Sequence, residues 1–132
     1  MGERKTVFIE GDDLIRVVGT SHYQDALRAF VSDPDADQVR HEARATLTPE
    51  PDNPYDPQAV AVQIKNETIG YLARDEHPRW RELIEMLQTR GRLVECEAMI
   101  AGRGGLLGVF LRLPTPTEAK AQIGIALREA RE

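Results

Sequence analysis

Apolar and polar positions along the chain follow two rhythms, a strand-like alternation and a helix-like stripe, broken by turn-forming residues. Leu14-Ile15-Arg16-Val17-Val18 is rich in β-branched residues, closes on Gly19 and reads as a mostly buried strand. Ahead of it, Thr6-Val7-Phe8-Ile9 fits an edge strand slightly better than a loose arm. From His22 to Val31 the residues Tyr23, Ala26, Leu27, Ala29 and Phe30 match a short amphipathic helix, stopped by Asp33-Pro34-Asp35. Val39 to Leu47 alternates cleanly, with Val39, His41, Ala43, Ala45 and Leu47 on one face. Val60, Val62 and Ile64 alternate next, and Asn66-Glu67 is placed to turn the chain into Thr68-Ile69-Gly70-Tyr71-Leu72, making a hairpin.

Asp75 can cap a helix in which Trp80, Leu83, Ile84 and Leu87 share a face and which Gly91 ends. Val94, Cys96, Ala98 and Ile100 alternate against polar neighbours, Gly102-Arg103-Gly104-Gly105 turns, and Leu107 to Leu113 is a last strand. Thr115-Pro116-Thr117-Glu118 is a capping box with proline at the first helical position. It opens a helix carrying Ala119, Ile123, Ala126, Leu127 and Ala130 on one side. The order of elements favours antiparallel pairing, with too few crossover helices for a doubly wound parallel sheet. A small, partly closed antiparallel barrel plugged by helices follows, mainly β with helices, in the α+β class.

Between the long strand and the hairpin lies Pro49-Glu50-Pro51-Asp52-Asn53-Pro54-Tyr55-Asp56-Pro57, where four prolines fix φ and remove ladder donors. This is a stiff, ordered loop. It places an amide, a ring and a carboxylate (Asn53, Tyr55 and Asp56) on backbone that cannot easily relax. One reading is a rigid corner, with Asn53 and Asp56 bonding nearby amides and Tyr55 capping the core. The other is a preorganised pocket, with a ring to stack on and a carboxylate to accept a hydrogen bond from a ligand hydroxyl. Composition alone leaves both open.

The 132 residues fit one domain, or one domain with an appendage, and the 41% hydrophobic share is enough for a real core. No apolar run is long enough to span a bilayer, so no membrane partner is expected, and no secretory leader is visible. Cys96 is the sole cysteine, which rules out an intramolecular disulfide and suits a reduced, cytoplasmic setting. A net charge of −5 argues against coating nucleic acid by bulk electrostatics. It leaves room for a small pocket that reads a nucleic-acid end or one nucleotide.

No catalytic set emerges, and neither a metal site nor a cofactor is expected. His22, His41 and His77 fall in separate predicted elements and each reads best as a core or surface residue. Asp33-Pro34-Asp35-Ala36-Asp37 lacks the glycine and distal glutamate of a calcium loop. Cys96 alternates with apolar neighbours, which suits a buried, inert thiol. Gly102-Arg103-Gly104-Gly105 has no lysine-serine pair and no following helix, so it is no phosphate loop.

The stretch from Asp52 to Val62, followed by Ile69-Gly70-Tyr71-Leu72, resembles the signature of the HIRAN domain. Val17-Val18-Gly19 and His22-Tyr23 fall where that family carries its opening strand and aromatic pair. The resemblance runs from Leu14 to Leu113. It implies a small OB-like barrel with helices, which with the order of elements gives about six strands with two inserted helices; the C-terminal helix from Pro116 lies outside the resemblance. The division it suggests is an arm or edge strand over 1–13, a HIRAN-like domain over 14–114 and a separate helix over 115–132.

The family resemblance also implies a function: non-enzymatic capture of the 3′-hydroxyl end of single-stranded DNA, in DNA repair or replication-fork processing. Asp56 would then accept a hydrogen bond from the terminal hydroxyl, with Asn53 and Tyr55 shaping the pocket. Tyr23 would stack on a terminal base, His22 could also stack, Tyr71 would stand beside the site, and Arg74 would meet a phosphate. Family members are best known attached to fork-remodelling ATPases, so a DNA-processing ATPase or nuclease is a candidate companion. The chain departs from the DNA-binding members at Ser21 and His22, which replace an arginine and an aromatic, and one phosphate contact is lost. Arg28, Arg74, Arg79, Arg103 and Arg112 are the residues that could rebuild a basic rim. The alternative is a protein-interaction domain with the same barrel and no DNA affinity. A positive collar around Tyr55 would favour DNA and a negative one a protein. The C-terminal stripe either packs on the barrel, the preferred reading, or serves a partner or homodimer.

Overall fold

A computed structural model describes residues 5–129 of the chain. Ala130, expected on the last helical stripe, lies outside them. Seven strands and three helices follow one another as β1 (Lys5–Phe8), β2 (Asp13–Arg16), α1 (Gln24–Ala29), β3 (Val39–Pro49), β4 (Val60–Ile64), β5 (Glu67–Tyr71), α2 (His77–Gln88), β6 (Arg92–Arg103), β7 (Leu106–Leu113) and α3 (Pro116–Glu129). The strands form one mixed sheet in the order β2-β7-β6-β3-β4-β5, antiparallel throughout, with β1 added in parallel along β6. The fold is therefore α+β with a dominant antiparallel sheet, as the alternation implied. The N-terminal segment supplies the seventh strand, with Val7 and Ile9 buried.

β3 is long because it serves both halves of the sheet. Val39–Leu47 pairs with β6 and Thr46–Pro49 with β4. The path is open, with β2 and β5 at its ends. One bridge spans the gap: Val18 and Tyr71 exchange N–H···O bonds of 2.9 Å in both directions. The structure is thus a partly closed sheet, with a single bridge where a barrel would have a full ladder.

The core follows the predicted faces closely in β6, where Val94, Cys96, Ala98 and Ile100 are buried, and in α2, where Trp80, Leu83, Ile84 and Leu87 are buried. α2 packs on β3 and β6, α1 on β5 and β7, and α3 on α2 and β1. The Thr115 capping box closes as its residues dictate. Thr115 N–H donates to Glu118 Oε1 at 3.0 Å and Glu118 N–H to Thr115 Oγ1 at 3.2 Å. Gln122 docks α3 further, exchanging two 2.8 Å bonds with the Glu10 backbone. Ala119 and Ile123 are buried, with Ala126 and Leu127 partly buried against the same core. The stripe packs on this fold, the preferred of its expected roles.

Four expectations are corrected. Leu14–Val18 is not a mostly buried strand: Leu14 and Val18 are exposed, and Val17 is the buried member. β-branched composition cannot tell a central strand from one at the end of the sheet path, and β2 is the latter. The hairpin turns at Lys65-Asn66, whose φ of 50° and 69° are those of a two-residue turn matched to strand twist, one residue before the predicted Asn66-Glu67. The helix expected from His22 starts at Gln24, after a single 3₁₀ turn over Thr20–His22, so Tyr23 lies outside it with φ −128°. Asp75 does not cap α2. Glu76 holds the N-cap position without a side-chain cap, its Oε1 accepting instead from Trp80 Nε1 at 3.1 Å.

Candidate functional site

The proline loop is built from its own polar side chains. Asn53 Oδ1 accepts from the N–H groups of Tyr55 (2.9 Å) and Asp56 (3.0 Å), closing an Asx turn. Asn53 Nδ2 donates to Glu50 Oε1 at 3.0 Å, and the Tyr71 hydroxyl donates to that same oxygen at 2.9 Å. Glu50 N–H donates to Ala59 O and Ala59 N–H to Asp56 O, which pins the two ends of the loop together. Asp56 Oδ1 accepts from Gln58 N–H at 2.9 Å. The corner is therefore rigid, as one reading of the sequence had it, but Tyr55 does not cap the core. Its side chain points away from the fold and the residue is 90% exposed.

A cleft of about 1020 Å³ opens beside this loop. His22, Tyr23, Asn53, Tyr55, Asp56, Tyr71 and Arg74, drawn from three separate stretches of sequence, all line it. The chain path explains the convergence. The Val18–Tyr71 bridge holds the β2 exit against β5, so Tyr23 comes to lie with its ring centroid 6.4 Å from that of Tyr71, the planes tilted by 53°. Such a tilted pair leaves ring surface for a third planar group. Burial first, then the neighbouring Tyr23 hydroxyl and the Glu50 carboxylate, push the Tyr71 hydroxyl above the ordinary tyrosine range, so it stays a proton donor. Cys96, buried in β6 away from the cleft, is pushed up to about 12 by burial, then by Glu95 and Glu97, which fits an inert thiol.

The electrostatics of the cleft differ from the expected basic rim. Among the described residues Arg74 is its only lysine or arginine, against Glu50, Asp52 and Asp56. The other four arginines do not join it: Arg28 pairs with Asp35 and the Gly105 carbonyl, Arg79 with Glu76, and Arg103 and Arg112 sit in β6 and β7. None of the four lines the cleft, a dispersal that sequence spacing does not reveal.

Two members of the site went unread in the sequence. Glu50, between two prolines, is the acceptor that joins loop to hairpin. His77, read as a bland histidine, is 6% exposed and lines the cleft, with Nε2 3.4 Å from Asp56 Oδ2. Its place as the first residue of α2, just after the hairpin, was the available signal. Among the described residues no group of three or more His, Cys, Asp or Glu could hold a metal ion. No helix among them is long and apolar enough to cross a membrane.

Comparison with known proteins adds three findings. The family profile described as HIRAN domain matches residues 14–100. The crystal structure of the HIRAN domain of human HLTF is similar, at 18% identity and a TM-score of 0.42, over 85% of this chain and 83% of that one. No curated protein matches.

Proposed function

The chain belongs to the HIRAN domain family, a family of DNA-binding modules, and from that footing we propose that its cleft holds the 3′-hydroxyl end of single-stranded DNA. Tyr23 stacks on the terminal base, with His22 beside it, and Asp56 accepts the hydrogen bond of the 3′-hydroxyl. Arg74 meets the adjoining phosphate. Asn53 and Glu50 act by holding the loop, since their polar atoms are already engaged with it and with Tyr71. Tyr55 offers an open ring at the mouth.

The observation that supports this reading most is the convergence of a partly exposed carboxylate, two tilted rings and one arginine on a single cleft. By collar charge the acidic lining favours a protein partner, and toward DNA it bears only on the choice of terminal group. A terminal phosphate brought among Glu50, Asp52 and Asp56 meets like charge at short range, whereas a hydroxyl donor does not. Affinity then comes from stacking, about 1–3 kcal/mol per base, more than from counterion release. The module binds and does no chemistry, in DNA repair or fork processing, in the cytoplasm, beside an ATPase or nuclease that acts on the captured end.

Fluorescence anisotropy with short oligonucleotides ending in 3′-hydroxyl or 3′-phosphate tests it, and the hydroxyl end is expected to bind tighter. A second reading, docking of a basic protein segment, is favoured by the three carboxylates facing a single arginine. Its mark is the absence of salt-sensitive binding to any oligonucleotide.

A further inference from the structure

α2 grips the proline loop with two residues one turn apart. His77 lies against Asp56, and Arg81 Nη2 reaches the Pro57 carbonyl at 3.4 Å while its Nε pairs with Glu85. We infer that His77 is a positioning residue, fixing the Asp56 carboxylate so that its remaining lone pairs meet a ligand hydroxyl. The inference rests on the 3′-end reading above and deepens it by assigning the source of the end selectivity.

The geometry carries the argument. Asp56 Oδ1 accepts from Gln58 N–H at 2.9 Å, and His77 Nε2 stands 3.4 Å from Oδ2. Its side chain keeps 24% exposure, while that of His77 keeps 8%. Each carboxylate oxygen has two acceptor sites, so one remains on each for a ligand. His77 Nδ1 is buried with no partner. Orphaned buried N–H groups are rarer than under-used acceptors, so the bare lone pair belongs on Nδ1 and the proton on Nε2, facing Asp56. The neighbouring charges on the same stretch are committed elsewhere, Glu76 to Trp80 and Arg79.

A free carboxylate could rotate away from a terminal phosphate and blunt the repulsion. One bonded at Oδ1 and flanked by His77 at Oδ2 has less room to do so. His77 therefore acts on the choice between terminal groups, and leaves contacts with the interior of the strand alone.

The test uses the full chain and 5′-labelled oligonucleotides ending in 3′-hydroxyl or 3′-phosphate, and reads the ratio of the two dissociation constants. His77→Leu is expected to shrink that ratio about tenfold, the scale of one hydrogen bond to a charged group. His77→Gln, which can present an amide N–H near the place of Nε2, is expected to retain most of it. In an Asp56→Ala background, His77→Leu is expected to change nothing further. A wild-type ratio in His77→Leu, or an added loss in the double variant, overturns the assignment. Should His77→Leu fail to fold, nitrogen-15 spectra of the wild-type imidazole decide: a proton on Nε2 supports the role and one on Nδ1 overturns it. Equal binding of both ends by the wild type would instead remove the 3′-end reading itself.

Discussion

Val18 and Tyr71 exchange two backbone hydrogen bonds of 2.9 Å, and at this one bridge the two ends of the sheet path meet. The bridge does more than close the sheet. It brings the segment that carries His22 and Tyr23 against the hairpin that carries Tyr71, and Tyr71 in turn ties to the proline loop through Glu50. Stacking surface and carboxylate are thereby coupled through the sheet.

Gly70 makes this approach feasible. A Cβ there would stand 2.5 Å from Val17 Cγ1 and 2.7 Å from Val18 O, and backbone oxygen cannot yield. Gly70→Ala is expected to cost about 1–3 kcal/mol in chemical denaturation, the range for steric insertion at packed sites. An unchanged midpoint would show that the bridge is dispensable.

Tyr23 and Tyr55 separate ligand contact from fold. Tyr23→Ala is expected to weaken oligonucleotide binding by about 1–3 kcal/mol, equally for both terminal groups, because stacking ignores the terminal group. Tyr55 is 90% exposed, so Tyr55→Ala should leave stability within about 0.5 kcal/mol while still lowering affinity. Anisotropy and thermal melting of the two variants together check this.

The Tyr71 hydroxyl makes alkaline stability informative. Its folded-state value is raised above the unfolded one. Its contribution is therefore full below about pH 10 and is lost as pH climbs toward the folded value. Cys96, pushed up to about 12, adds to the same trend, its own contribution being lost from the ordinary thiol range upward. Melting temperature should fall on the alkaline side, less steeply in Tyr71→Phe. At pH 7 that variant is expected to lose about 0.5–1.5 kcal/mol, one hydrogen bond's worth. A Tyr71 phenol that ionised in the ordinary range within the folded protein, followed by ultraviolet absorbance, would contradict it.

Thr115 tests whether α3 is integral. Thr115→Ala removes the acceptor for Glu118 N–H and is expected to cost about 1 kcal/mol, as for other caps. Because Ile123 is buried in the shared core, the loss should appear as a lower midpoint of one cooperative transition. A separate early transition would mean that the helix melts alone.

Much of this architecture was legible in the sequence. Strict alternation in β6 and the helical stripe of α2 each specify one buried face, so Cys96 and Trp80 could be placed without tertiary information. The proline loop was legible as stiff because its restraints are local, a matter of φ and of Asn53 bonding the next two amides. β2 was misread because burial at the end of a sheet path depends on what lies alongside, which Leu14 and Val18 do not encode. Glu50 and His77 were missed for a related reason. Each matters only because the end of β3 and the start of α2 converge, far apart in sequence. The arginines failed as a rim in the opposite way: their number was visible and their directions were not.

Asp56 carries the central claim, and discrimination between strand ends by the wild type and Asp56→Ala measures it most directly. The expected result is tighter binding of a 3′-hydroxyl than of a 3′-phosphate oligonucleotide by the wild type, with the preference abolished in Asp56→Ala and the fold intact by melting. Equal affinity for the two ends in the wild type, or an undiminished preference in Asp56→Ala, would contradict it.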